Sequence, residues 1–198
     1  MKYSIRELET LQKIGIACGI IIIPGFIGWL IEFGFAFWDN GCKDWYWRGG
    51  NFLPWINMYS IGSFLILGCT YKFRDKPLKV LLISLLVAGT FELTTGVFFD
   101  KVLGLRYWDY KNEVLNFHGY VCLLSLSGFA VGGLFLNYML MPFLIMLSKK
   151  IPKKVFLSVG ITLVTLILID EIYNLVFTNL FNLPDALDFY SEYTFFKY

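Results

Sequence analysis

Charge is scarce in this chain. Only 16% of its 198 residues are Asp, Glu, Lys or Arg, against about a quarter in a soluble domain, which argues against a soluble fold. A net charge of +2 gives no long-range field for nucleic acid, and no such partner is expected. There is one histidine, His118, and there are four cysteines, Cys18, Cys42, Cys69 and Cys122. No cysteine has a second Cys or a His at ligand spacing, which argues against a metal centre and against a disulfide. Three of the four lie in or at the ends of apolar runs, where Cys acts as a small buried hydrophobe. The chain has no P-loop, no low-complexity tract and no defensible internal repeat, and no cofactor is expected.

What is abundant is apolar and aromatic sequence, at 57% and 19% of the residues. Five long apolar runs predict an all-α, polytopic membrane protein, one domain built as a bundle of about five transmembrane helices in the lipid bilayer. The runs are Leu11–Trp38, Leu53–Tyr71, Pro77–Phe99, Gly119–Leu147 and Val155–Phe181. Residues 1–10 read as a surface helix and 182–198 as a short acidic, aromatic surface segment. A signal peptide is the rival for the first run, but the run is too long and no small-residue cleavage site follows. Pro24 predicts a kink and a freed carbonyl that a neighbour must satisfy. Gly15 and Gly19, and later Gly128, Gly132 and Gly133, predict close helix contacts. Trp45, Tyr46 and Trp47 are placed as interface anchors.

The basic residues are unevenly divided. Eleven fall at one set of ends (Lys2, Arg6 and Lys13, then residues 72–79 and 149–154) and six at the other. The positive-inside rule then puts the N-terminus in the cytoplasm. With five spans the C-terminus is outside, and so is the polar segment 100–117. Anionic lipid is a natural contact for the basic connections.

Polar groups inside or beside apolar runs are the candidate site. Glu32, Glu92, Asp170 and Glu171 are carboxylates in spans, where a charge costs about 2.5–3.5 kcal/mol to insert. Ser84, Ala88, Glu92 and Thr95 share a helix face that should point into protein. Ser158, Thr162, Asp170, Asn174 and Thr178 form a drifting polar stripe. Arg48 and Arg106 are the cations expected to pair with Glu92. Trp108, Asp109 and Tyr110 form the rim of an outward-facing polar cavity. Asp109 and His118 could make an acid–base pair, although no nucleophile motif stands near them. Asn116 is placed as the N-cap of the fourth span.

Several of these stretches resemble the putative ABC transporter permease (type IV) family of small bacterial membrane proteins. The matching residues are Gly28-Trp29-Leu30-Ile31-Glu32, Arg48-Gly49, Asn57-Met58-Tyr59-Ser60 and Glu92. They continue with Trp108-Asp109-Tyr110, Asn116, Gly119, Cys122 and Leu123. The resemblance runs from Gly25 to Phe143 and leaves the fifth span outside it. The chain departs from the family pattern at Trp47, Asn57, Ser60 and Tyr120. The last replaces an Arg, which puts any anion-binding role of that position in doubt here. The resemblance implies a transport function and, since this chain lacks a P-loop, an ATPase on a separate subunit. Three readings stay open. One is transport of an unidentified small substrate through the polar cavity. The second is a membrane-embedded enzyme acting on a lipid head group through Asp109, His118 and Glu92. The third is a non-catalytic accessory subunit of unspecified oligomeric state.

Overall fold

A computed structural model describes residues 5–39, 41–49, 51–178, 181 and 183–193. Lys2 and Lys197 of the charge count and the tail from residue 194 lie outside the described residues. Apart from one isolated bridge, Phe117 to Val121, the regular structure among the described residues is helical. The main helices are α1 (Thr10–Asp39), α2 (Asn57–Thr70), α3 (Pro77–Phe98), α4 (Leu123–Phe135), α5 (Met141–Lys150), α6 (Lys153–Ile172) and α7 (Ala186–Tyr193). Three π turns extend or join them, at Phe99–Leu103, Leu136–Leu140 and Tyr173–Thr178. Residues 5–10 hold only a short turn, Ile5–Glu7, before α1 begins.

Among the described residues four rods are long and apolar enough to cross a membrane: Thr10–Asp39, Pro77–Leu103, Leu123–Lys150 and Lys153–Thr178. The chain is therefore an all-α, multi-pass membrane protein. The second apolar run is different. Its helix starts only at Asn57 and has 14 residues, or about 21 Å at about 1.5 Å per residue. The cause lies just before it. Pro54 biases Leu53 away from helical backbone, and the donors of this stretch are used elsewhere. Phe52 and Leu53 give their N–H groups to the Asp170 carboxylate, and Ile56 gives its own to the Gly25 carbonyl.

The chain divides into two compact units. One comprises Ile5–Ile61 and Leu147–Tyr198, and α1 against α6 is its main helix pair. Small residues make the contact: Gly15 lies under the Phe156 ring, and Gly160 lies against Cys18. The helix is braced beside Pro24, at the carbonyl next to the one, on Ile20, whose donor the proline lacks. Trp55 Nε1 and Ser60 Oγ both donate to the Ile21 carbonyl, one turn before the proline. Gly25 leaves room for the Trp55 indole, and Gly28 for the Tyr59 ring. Aromatic rings cover the far end of α1, where Trp45 stacks on Phe33 and Phe37 and Trp47 stacks on Tyr190.

The other described unit is Gly62–Met146, with α3 against α4 at its centre. Pro77 opens α3 in its first turn, where its missing N–H costs nothing. The buried line of α3 is Val80, Ser84, Ala88, Glu92 and Gly96, a strict i, i+4 series, so Gly96 rather than Thr95 completes the expected face. Of the three α4 glycines, Gly133 is the packed one: a Cβ there would sit 1.9 Å from Ser84 Oγ, whereas none would touch Gly128 or Gly132.

The glycine contacts give a direct check. A methyl group on Gly28 would lie 2.2 Å from the Tyr59 ring, whereas one on Gly34 would meet nothing within 4 Å. Gly28→Ala is expected to cost about 1–3 kcal/mol by overpacking, and Gly34→Ala to be neutral or stabilising by up to about 1 kcal/mol. Thermal melting of both variants in detergent measures the difference. Equal melting temperatures would refute this packing of the Tyr59 ring on α1.

Candidate functional site

Glu92 is buried on the inner face of α3, 4% exposed. Its two oxygens take hydroxyl donors from two other segments. Tyr110 Oη donates to Oε1 at 3.1 Å and Ser125 Oγ to Oε2 at 2.9 Å. Ser125 is itself fixed by local sequence. Cys122 and Ser125 form a reciprocal capping box at the start of α4, each side chain taking the other's backbone N–H. The Cys-x-x-Ser spacing is the sequence signal of that box. It displaces Asn116 from the expected cap position, because a turn and the Phe117–Val121 bridge intervene before the helix begins. Asn116 closes that turn instead, donating to the Lys111 and Glu113 carbonyls and accepting from the Gly119 N–H.

The segment after α3 folds back over this carboxylate. The π turn Phe99–Leu103 ends at Gly104 in the left-handed conformation, φ 69°, which glycine adopts without a Cβ penalty. Trp108 donates to the Tyr120 carbonyl at 2.8 Å, and its ring lies against Gly96. Tyr110 reaches Glu92, so the two aromatics of the Trp-Asp-Tyr motif fasten the loop to α3. Asp109, between them, points the other way. It accepts from Arg106 at 3.1 Å and from the backbone and side chain of Lys111. Partial desolvation raises its pKa. The hydrogen bonds from Lys111 and the nearby Arg106 charge outweigh that and hold the carboxyl below its ordinary value.

Arg106 is the hub of the loop. It pairs with Asp100 and Asp109, donates to the His118 carbonyl and lies over the Tyr120 ring. The Tyr120 hydroxyl donates to Asp100, so the departure from the family's Arg at this position is filled by an aromatic contact and a hydrogen bond. Gly119, at φ 76°, leaves the space for the Arg106–Asp109 pair: a Cβ would meet both within 2.5 Å. The pairing of Glu92 with Arg106 that sequence proximity suggested is thus replaced by hydroxyl bonds on Glu92 and by loop carboxylates on Arg106. His118 is exposed, with its ring edge-on to Phe117. The expected Asp109–His118 pair does not form, because Asp109 is engaged by Arg106 and Lys111.

The unit built on α1 and α6 holds the other carboxylates. Asp170 is 8% exposed. It accepts from the backbone N–H groups of Phe52 at 3.0 Å and Leu53 at 2.7 Å and from Asn174 Nδ2 at 3.0 Å. Glu171 takes Asn51 at 2.9 Å and Asn57 at 3.4 Å. The adjacent pair is thus divided, one carboxylate facing backbone donors and the other side-chain amides. Tyr190, on α7, donates to the Phe52 carbonyl. Burial, with the Asp170 charge, pushes its phenol above the usual value. Glu32 accepts from Tyr59 Oη at 2.9 Å, with Arg48 at a loose 3.8 Å. Arg48 therefore serves Glu32, not Glu92. Ser158 and Thr162 of the predicted stripe are exposed, and only its Asp170–Asn174–Thr178 end is bonded into the protein.

Sequence reading missed Ser125, Cys122, Asn51 and the Phe52–Leu53 backbone as functional partners. Only the Cys-x-x-Ser spacing carried a signal. Among the described residues, no group of three His, Cys, Asp or Glu side chains converges to hold a metal ion.

A sequence model of the family described as "Putative ABC-transporter type IV" matches residues 20–175. The match reaches further than the Gly25–Phe143 resemblance. It takes in most of the last span with Asp170 and Glu171, so the expectation that this span lies outside the family pattern is corrected. No curated protein and no solved structure matches the chain.

The hydroxyl pairing of Glu92 is measurable. In a double-mutant cycle, Glu92→Gln and Tyr110→Phe are expected to couple by about 1–3 kcal/mol, the range for a hydrogen bond to a charged group. Melting temperatures in detergent give the four corners. A coupling near zero would remove Tyr110 as the partner.

Proposed function

Because the chain belongs to the Putative ABC-transporter type IV family, we propose that it is a permease-type membrane subunit that carries an unidentified small solute. An ATPase on a separate chain supplies the energy. The observation that carries this reading is Glu92: a buried carboxylate inside a span, held by hydroxyls and latched to the loop that covers it. A hydroxyl–carboxylate bond exchanges for one to water or to a solute hydroxyl with little net change, since hydrogen bonds are traded in kind. Tyr110 can then leave Glu92 as the Trp108–Tyr110 loop moves, and the vacated carboxylate meets a polar or cationic solute. Asp109, Arg106, Asn116 and His118 shape the loop. Glu32, Arg48, Asp170 and Glu171 supply further polar lining in the other unit. Lys and Arg asymmetry supports a cytoplasmic N-terminus, and if the segment of the short α2 also crosses the membrane, the loop after α3 lies on the outer face.

Two rivals remain testable. A head-group enzyme needs an acid and a base in contact, and the engagement of Asp109 by Arg106 and Lys111 speaks against it. An accessory subunit would need the polar clusters for stability alone.

Solute profiling separates these readings. Cells lacking the protein, and cells complemented with wild type, Glu92→Gln or His118→Gln, are compared for small solutes inside and outside. The expected result is at least one solute whose distribution is restored by wild type and by His118→Gln but not by Glu92→Gln. Restoration by Glu92→Gln at wild-type membrane levels would leave the accessory role. Loss with His118→Gln alone would favour the enzyme.

Orientation has its own check at Cys42, which is exposed in the loop after α1. In a Cys18→Ala, Cys69→Ser, Cys122→Ser background, an impermeant thiol reagent should label Cys42 in intact cells. Labelling only after permeabilisation would reverse the topology.

A further inference from the structure

The junction of α5 and α6 carries four lysines in seven residues, Ser148-Lys149-Lys150-Ile151-Pro152-Lys153-Lys154. It is not a loose basic loop. Gln12 is buried, 7% exposed, and its Nε2 donates to the Ser148 carbonyl at 2.7 Å. The Gln12 Oε1 accepts the Glu9 N–H at 3.1 Å, and the Glu9 carboxylate pairs with Lys153. The first turn of α1 therefore clamps both ends of the connection.

The clamp leaves an open groove of about 490 Å³ whose floor is Gln12 and Ser148 and whose walls are Lys149, Lys150, Lys153 and Lys154. That volume lies within the range of small-ligand sites. Glu9 neutralises Lys153, which leaves Lys149, Lys150 and Lys154 as the uncompensated cations of the groove. All three are exposed. Their height is fixed by their neighbours. The apolar α5 sequence runs to Leu147, and the α6 sequence turns apolar at Val155, so the lysines stand where hydrocarbon gives way to head groups.

We propose that this groove binds the phosphate of an anionic phospholipid. A lysine ammonium is a strong point-charge partner for phosphate, and each basic residue near an anionic membrane surface adds roughly fivefold to affinity. The Gln12 and Ser148 floor gives the head group a polar wall instead of an open surface. The acyl chains of such a lipid continue along the ends of the membrane-length rods Leu123–Lys150 and Lys153–Thr178 that meet at this connection. The site depends neither on the transport reading nor on the direction of insertion, since it is defined by the end of two spans.

Full-length protein is reconstituted in vesicles of equal phosphatidylcholine and phosphatidylglycerol and re-extracted in neutral detergent. Retained lipid is then identified by native mass spectrometry. Wild type should keep phosphatidylglycerol over phosphatidylcholine. Lys149→Gln/Lys150→Gln/Lys154→Gln should lose that preference, and its affinity for short-chain phosphatidylglycerol should fall about fivefold per lysine removed. The single Lys150→Gln variant gives the first step should the triple variant not fold, and Lys149→Arg/Lys150→Arg/Lys154→Arg should keep the preference. A second arm offers inorganic phosphate alone, which should compete only weakly. The proposal is overturned by equal retention of both lipids in wild type, by unchanged preference in the Gln variants, or by inorganic phosphate displacing the lipid at matched concentration.

Discussion

A carboxylate removed from water must find donors, and in hydrocarbon it can find them only on the protein. Both units are arranged around that constraint. In one, Glu92 takes Tyr110 and Ser125. In the other, Asp170 takes two backbone N–H groups and an amide. In each set some of the donors come from chain that would otherwise be a free connection: Tyr110 in one, Phe52 and Leu53 in the other. The loop after α3 is held down because Glu92 needs Tyr110, and the entry to α2 is extended because Asp170 needs the N–H groups of Phe52 and Leu53. The short second helix and the folded loop after α3 are consequences of the same demand.

Charged side chains could have met it, yet the donors seen at these two sites among the described residues are uncharged, and that choice has a physical meaning. A guanidinium beside a buried carboxylate requires two ions to be desolvated, and the attraction returns that cost only with excellent geometry. Arg106 stays in the loop with Asp100 and Asp109, its side chain about one-quarter exposed, and never enters the span. Arg48 is still more exposed beside Glu32. Ion pairs therefore stabilise the polar rims, whereas hydroxyls, amides and backbone N–H groups serve the buried positions. For a permease, hydroxyl and amide partners suit a site that must open, since each can be replaced by water or solute without stranding an ion.

How much of this could be read from the residues follows the range of the interaction. The all-α, multi-pass character was legible because apolar run length is a bulk property, although the second run forms helix only from Asn57, and the buried face of α3 was legible because Ser84, Ala88 and Glu92 repeat every four residues. Pro24 announced a carbonyl in need, that of Ile20, whereas Trp55 and Ser60 bond the next one, of Ile21. The partners of the carboxylates were not legible. Charge alone suggested Arg106 for Glu92, since opposite charges are visible in a sequence and a tyrosine hydroxyl eighteen residues away is not. The backbone donors of Phe52 and Leu53 have no side-chain signature at all. Asn116 was misplaced because asparagine is favoured both at helix starts and in turns, and only the capping box of Cys122 and Ser125 decides between them.

The π turns extend the same logic into the backbone. In a π turn the N–H reaches back five residues rather than four, so the carbonyl four residues back loses its usual donor; Gly133 and Asp170 keep only the N–H three residues on, from Leu136 and Tyr173. At these two of the three π turns an asparagine side chain adds a second donor. Asn137 Nδ2 donates to the Gly133 carbonyl and to Thr70 Oγ1. Asn174 Nδ2 donates to the Asp170 carbonyl, to the Asp170 carboxylate and to Asn51. Each asparagine covers the local defect and joins its helix to a neighbour through one amide group. The irregular stretch Tyr173–Thr178 thus carries the side chain that bonds both the carbonyl and the carboxylate of Asp170.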